Sequence, residues 1–335
     1  MKALTEAPPA LVTIDEIEAA AGRIQVVAVR TPLLSFPEVS EESGGVVRLK
    51  CESLQRTGSF KIRGAYNFVS QLSPKEMDRG IITYSSGNHA QAVALAAREK
   101  GVRAVVVMPT TAPGVKVDGA RRLGAEVVFE GTTSIERKVR AEAIASAEGL
   151  AMVPPFDHPH IIAGQGTVGL EIARDWPEVD LVLVPIGGGG LAGGTAAALK
   201  RLLPRVRVVG VEPEGAPAMR AALDAGEPVT LPRTETIADG LAPVRAGTLT
   251  FLHAREFLDD VVLVADEAIR RATALLVSRR KLVVEYSGAA TLAAVMAGAV
   301  DVGGLNVALV VSGGNLDPSL LEGLASEGSS SASGV

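Results

Sequence analysis

Lys61 stands behind a Thr57-Gly58-Ser59 turn and the ring of Phe60, and it heads an amphipathic run carrying Ala65, Phe68, Val69 and Leu72. A lysine in partly apolar surroundings loses proton affinity, because burial disfavours its charged form. The neutral amine is then a nucleophile able to form a Schiff base. A lone lysine on a helix is ordinarily a snorkelling side chain, so Lys61 gains meaning only from other residues. One such group handles anions. The apolar run 181–186 leads into Gly187, Gly188, Gly189 and Gly190, then Leu191. Strand, bare backbone and helix start bring successive N–H groups and a helix dipole to one point, which suits a phosphate. The same stretch fits the dinucleotide pattern Gly188-x-Gly190-x-x-Gly193, and Glu212 ends the next strand where a ribose-binding carboxylate belongs. An NAD-dependent dehydrogenase is thus a rival from another class, though it leaves Lys61 and Ser312-Gly313-Gly314 unexplained.

These residues need elements to hold them. Thr13 and Glu16 form a capping box for a helix reaching about Ala21. Strand patterns at 46–50, 81–84, 104–108, 126–129, 181–186, 206–211, 261–264 and 307–311 alternate with helical ones at 90–100, 115–123, 134–146, 168–174, 191–203, 266–278 and 289–299. Such alternation implies parallel sheets with crossover helices, here two α/β blocks facing across a cleft. Ser85-Ser86-Gly87-Asn88 falls at a strand-to-helix turn, where Asn88 could simply be an N-cap. Residues 214–260 hold four prolines and read as the least regular part; from Glu327 the chain is Ser/Gly-rich, with little to order it.

A chain of 335 residues, 47% apolar, can bury a large core and suggests about two domains. A net charge of −5, with basic residues scattered on helices, argues against nucleic acid or an anionic membrane as partner. Cys51 is the only cysteine, which excludes a disulfide within the chain and a paired-thiolate metal site. No secretory signal or membrane-length apolar run is legible, so the expected location is cytoplasmic. His158 and His160 lack a third ligand and read as loop residues; no metal is expected.

Several separated motifs fall in the order of one known family: Ser59-Phe60-Lys61-Ile62-Arg63-Gly64-Ala65, Ser85-Ser86-Gly87-Asn88-His89-Ala90-Gln91, Phe156-Asp157-His158-Pro159, Ile162-Ala163-Gly164-Gln165-Gly166-Thr167, Gly187 to Gly190, Thr236-Ile237-Ala238-Asp239-Gly240 and Ser312-Gly313-Gly314-Asn315. Over residues 13–322 the chain resembles the threonine dehydratase and serine racemase family of fold-type II pyridoxal 5'-phosphate (PLP) enzymes. The resemblance implies a tryptophan synthase β-like α/β fold of two three-layer domains with the active site between them. Residues 1–70 and 158–322 would form the large PLP-binding domain, 71–157 the small substrate-binding domain, and 323–335 a flexible tail.

By the same resemblance, Lys61 would hold PLP as a Schiff base and then act as base on the substrate α-carbon. Phe60 would flank the cofactor ring, Asn88 would bond its 3'-oxygen, Gly187, Gly188, Gly189 and Gly190 would hold its phosphate, and Glu285 would lie near it. Ser85, Ser86, Gly87, Asn88 and His89 would clamp the substrate carboxylate, with Ser86 on the face opposite Lys61. Ser312 would meet the pyridine nitrogen; a hydroxyl cannot keep that nitrogen protonated as a carboxylate does, which favours expelling a β-leaving group over a long-lived carbanion. Glu212 and Ala216 align with cation ligands of the racemase-like members, but Ala218 replaces a carboxylate, so Glu212 is left as a surface carboxylate. Tyr286 replaces a usual proline and could reshape the pocket rim, and an isoleucine-sensing regulatory domain is not expected. The implied activity is an ammonia-lyase on a small β-hydroxy amino acid, L-threonine or L-serine, in a homodimer or homotetramer. Serine racemase and hydroxyaspartate or phenylserine dehydratase are the alternatives on the same scaffold.

Overall fold

The first helix begins where the capping box predicts: the Thr13 hydroxyl accepts the Glu16 N–H (3.2 Å), and the Glu16 carboxylate takes the Thr13 N–H (2.7 Å). A computed structural model describes residues 10–85, 87–112 and 114–330, so Ser86 lies outside the described residues. The strands are β1 (Leu33–Ser35), β2 (Val46–Cys51), β3 (Ile81–Tyr84), β4 (Ala104–Met108), β5 (Glu126–Phe129), β6 (Ala151–Met152), β7 (Leu181–Pro185), β8 (Arg207–Pro213), β9 (Asp260–Val264) and β10 (Asn306–Val311). The helices are α1 (Ile14–Ile24), α2 (Pro37–Ser43), α3 (Lys61–Val69), α4 (Pro74–Arg79), α5 (Asn88–Lys100), α6 (Gly114–Arg122) and α7 (Ser134–Glu148). There follow α8 (Pro159–Asp175), α9 (Gly190–Leu202), α10 (Ala218–Ala225), α11 (Thr248–Phe257), α12 (Asp266–Ser278), α13 (Tyr286–Met296) and α14 (Leu321–Ser330).

Two sheets result. The larger runs β1-β2-β10-β7-β8-β9, parallel except for β1 at its edge; the smaller runs β5-β4-β3-β6 and is parallel throughout. Strands β4 and β7 are buried along their whole length, as is β10 after Asn306. Their continuous Val/Leu runs are what a parallel sheet covered on both faces requires.

Three expectations are corrected. Gly164-Gln165-Gly166-Thr167 does not precede a short helix; it lies inside α8, which begins at Pro159 and so includes His160, while His158 caps it by accepting the His160 N–H (3.1 Å). Those glycines are close-approach points: a Cβ on Gly164 would sit 2.6 Å from the Arg63 carbonyl oxygen and from Gly64 Cα, and one on Gly166 2.9 Å from the Gly194 carbonyl oxygen. Residues 214–260 contain α10 and α11, whose apolar faces (Met219, Ala222, Phe251, Ala254) join the core beside α9. The tail expected to be flexible is helical as far as Ser330, because Leu324 is buried and Glu327 pairs with Arg270 of α12.

One buried ion cluster ties these layers together. Arg63, two residues after Lys61, grips both Glu52 oxygens (2.7 and 2.8 Å), Glu171 of α8 (2.7 Å) and the Thr167 hydroxyl (3.1 Å). Lys50 donates to the same Glu171 (2.6 Å), and the Thr31 hydroxyl donates to Glu52 (2.5 Å). Burial alone would raise the Glu52 carboxyl, but Arg63 beside it carries it below its ordinary value. Arg63→Met leaves that carboxylate enclosed without its partner. The expected loss is about 3–5 kcal/mol of unfolding free energy, read by urea denaturation; a loss under about 1 kcal/mol, the worth of a surface pair, would show that the cluster is not holding α3.

Candidate active site

The strands that matter are neighbours. β2, β10 and β7 lie side by side, and the chain leaving each C-terminal end delivers, in turn, Lys61, Ser312 and Gly187 to Gly190. Ligands of open α/β sheets bind beyond these strand ends. From the other side, β3 delivers Ser85, Gly87, Asn88 and His89. Between them lies a cleft of about 300 Å³ whose wall includes Lys61, Asn88, the four glycines, Glu285 and Ser312.

Lys61 is the first residue of α3. Its Nζ donates to the Pro155 carbonyl (2.9 Å) and lies 5.2 Å from the centre of the Phe60 ring. The side chain keeps part of its surface open to the cleft, while its amine is enclosed by protein. Burial pushes that amine down to about 8, against the opposing pull of the Glu285 charge. Glu285 is itself pushed up to about 7 by burial and by Asp239, with the Asn88 hydrogen bond working the other way.

Helix α5 starts at Asn88, so the N-cap is Gly87 rather than Asn88, and no side chain caps it. Its first N–H groups therefore open onto the cleft as a ready anion site. The Asn88 Nδ2 donates to Glu285 Oε1 (2.6 Å). His89 is committed elsewhere: its Nε2 meets the Val153 carbonyl (3.2 Å), and burial pushes the ring down to about 3. An imidazole that stays neutral brings no charge to a carboxylate, so only the His89 backbone remains for one. Ser86 lies outside the described residues.

The glycine loop is bare for a structural reason as well as a chemical one. A Cβ on Gly187 would come 2.7 Å from the Gly240 carbonyl oxygen, one on Gly188 would overlap the Phe156 ring, and one on Gly189 would come 2.6 Å from Met219 Cε. Packing thus presses the loop from behind, and Gly189 adopts φ +93°, which favours glycine. Helix α9 then begins at Gly190 without a side-chain cap. An uncapped helix start fronted by side-chain-free backbone fits a phosphate. Ser312 is buried, and its hydroxyl makes only a long contact (3.5 Å) to the Ser287 carbonyl.

Glu212 is not a surface carboxylate. It is fully buried, and its two oxygens accept the N–H groups of Met219 and Arg220 (both 2.8 Å) at the start of α10. Burial pushes it up to about 7. Both oxygens are occupied, which removes the ribose contact on which the dinucleotide reading leaned. Tyr286 packs, partly buried, against the large-sheet core. Several cleft residues carried no signal in the sequence. Lys116 of α6 bonds Asp239 across the cleft mouth (2.6 Å), Arg137 of α7 lines the wall, and Pro155 offers only a backbone oxygen.

Residues 24–313 match the family described as "Pyridoxal-phosphate dependent enzyme". The L-threonine ammonia-lyase of Thermotoga maritima is 43% identical over 95% of this chain and 79% of its own length. The catabolic L-threonine dehydratase of Escherichia coli (strain K12) is 42% identical over 91% of this chain and 94% of its own. Among solved structures, maize serine racemase superposes with a TM-score of 0.90 at 36% identity, covering 97% of this chain and all of that one. The processed form of threonine deaminase isoform 2 from Solanum lycopersicum gives 0.86 at 37%, covering 97% and 93%. A lysine of lowered proton affinity, an uncapped glycine-fronted helix and a fold shared across nearly the whole length agree: the chain belongs to the pyridoxal-phosphate dependent enzymes.

Proposed function

We propose that this protein is an ammonia-lyase that removes water and ammonia from L-threonine or L-serine and leaves a 2-oxo acid. The observation that carries the reading is that one amine, depressed to about 8, shares a single cleft with two uncapped helix starts. Two anionic groups, a cofactor phosphate and a substrate carboxylate, each have a place. Relatives named as threonine ammonia-lyase or dehydratase, 42–43% identical over most of the chain, support the substrate class.

Bound PLP supplies an electron sink for the bonds at the substrate α-carbon. The chain supplies the rest. Gly187 to Gly190 and the start of α9 hold the phosphate, Phe60 flanks the ring, and Asn88 donates to its oxygen. The first N–H groups of α5, with Ser85 beside them, orient the carboxylate. Lys61 first anchors the cofactor and then takes the α-proton, a role for which an amine near neutrality is matched. Ser312 offers the pyridine nitrogen a hydroxyl, which favours loss of the β-hydroxyl over a lasting carbanion. The division into a large cofactor-binding part (1–70 and 158–322) and a small substrate-binding part (71–157) is supported by the two separate sheets. A cytoplasmic homodimer or homotetramer completes the proposal.

A racemase is the second reading, favoured by the superposition on maize serine racemase. It needs a proton donor on the face opposite Lys61, the role expected of Ser86.

Borohydride reduction of PLP-loaded protein followed by peptide mass mapping is expected to place a pyridoxyl group on Lys61; an unmodified Lys61 would sink the reading. The rate at which PLP-free protein captures the cofactor is expected to climb with pH to about 8 and then level, because the amine is already free there. Continued climbing towards 10.5, the ordinary lysine value, would contradict a depressed Lys61. Incubation with L-serine is expected to yield pyruvate faster than D-serine, measured by 2-oxo-acid assay and chiral chromatography. The reverse order assigns the racemase instead.

A further inference from the structure

Asn88 can present either end of its amide to the cleft, and only the Nδ2 end can donate to a cofactor oxygen. What decides between them is not Asn88 itself but two polar neighbours acting in the same sense, the accepting Glu285 and the donating Asn315. Thr57 and Gly58 both have positive φ (64° and 71°), a conformation uncommon for threonine. The Thr57 carbonyl in this turn meets the side chain of Asn315, at 2.8 Å from its Nδ2. A carbonyl can only accept, so the Asn315 end facing it must be the NH2 group. The same Nδ2 lies 2.8 Å from the Asn88 amide. A donor there requires Asn88 to answer with Oδ1. The Asn88 Nδ2 then points to Glu285 (2.6 Å). Its second hydrogen has no partner among the described residues and is left for the cleft. Gly58 keeps this arrangement possible, because a Cβ there would come 2.5 Å from Asn315 Oδ1.

We propose that Asn315 is a positioning residue that reads the fixed polarity of the Thr57 carbonyl and passes it to Asn88, so that Asn88 faces the cofactor as a donor. The inference rests on the reading that Asn88 contacts the cofactor. Asn315→Asp sets an acceptor against both the Thr57 carbonyl and Asn88 Oδ1. The new carboxylate then competes with Glu285 for the Asn88 Nδ2, and turning the amide over to meet it would set Oδ1 against Glu285, so the donor facing the cleft is displaced. Asn315→Ala removes the reference without reversing it.

The test is PLP affinity of the PLP-free protein, followed by fluorescence titration, together with the visible spectrum of the loaded protein. Asn88→Ala is expected to weaken PLP about tenfold, the worth of one hydrogen bond to a charged group. Asn315→Asp is expected to weaken it comparably and to shift the balance of the long- and short-wavelength cofactor bands; Asn315→Ala should do so less. In the Asn88→Ala background, either change at 315 should add almost nothing, since residues acting through one contact are not additive. If Asn88→Ala itself leaves PLP binding unchanged, the role given to Asn88 fails. If Asn88→Ala weakens binding but the Asn315 variants do not, or if their effects simply add, the inference about Asn315 is wrong. Should Asn315→Asp fail to fold, the Asn315→Ala cycle carries the same decision.

Discussion

The site depends on a short antiparallel pairing between two loops some 250 residues apart. The Ser312 carbonyl accepts the Phe60 N–H (3.1 Å), the Gly58 carbonyl accepts the Gly314 N–H (2.8 Å), and Ser59 bridges Gly313. These are backbone bonds, so they set register irrespective of the side chains around them. Register is what the proposed chemistry needs, since Lys61, one residue past one arm of the pair, and Ser312 in the other arm would serve one cofactor. The pairing is extended sideways at Glu285, whose N–H reaches the Gly313 carbonyl (3.1 Å). Glu285 crowds Gly313 so closely that a Cβ on that glycine would overlap its carboxyl group. Phe60, Lys61, Ser312 and Glu285 are thus located by one patch of main chain.

Around that patch, burial drives three titratable groups towards their neutral forms. Burial lowers Lys61 to about 8 and His89 to about 3 and raises Glu285 to about 7. Each shift favours the neutral form, as desolvation dictates. The starts of α5 and α9 add positive potential that is a property of the backbone and cannot titrate away. Cationic side chains also line the cleft, Lys116 paired with Asp239 and Arg137 on α7, so an anion meets both backbone and side-chain charge there.

Much of this was legible in the sequence for a physical reason. Strands such as β7 and β10 are apolar throughout because both faces of a parallel sheet are covered, so their pattern stands out. Lys61, the glycine loop and Ser312 could be singled out because the chemistry proposed for them needs particular residue types, and the fold brings them to one cleft. Glycine misled where its purpose lay in another part of the chain: the sequence pattern places Gly164 and Gly166 ahead of a helix at 168–174, yet they lie inside α8 and admit the backbones of α3 and α9 to its side. Glu212 misled similarly, since nothing local tells that its oxygens close the start of α10. Pro155 left no trace at all, because a carbonyl contact to Lys61 is independent of the side chain. The tail beyond Glu322 was expected to be flexible because one buried leucine, Leu324, is too little to reveal a helix.

The glycine seam along α8 has a consequence for how such an enzyme can change. Through Gly64 and Gly164 on one flank, and Gly166 and Gly194 on the other, the helix carrying the amine and the helix heading the phosphate cradle are spaced by main chain against main chain. Side-chain packing can be retuned by a methyl group; a contact between backbones has no such slack. The separation of amine and cradle is therefore a fixed gauge. The opposite wall has no such seam, since Lys116 and Arg137 line it through side chains rather than backbone contact. A scaffold divided in this way can acquire new substrates while its oldest chemistry stands still.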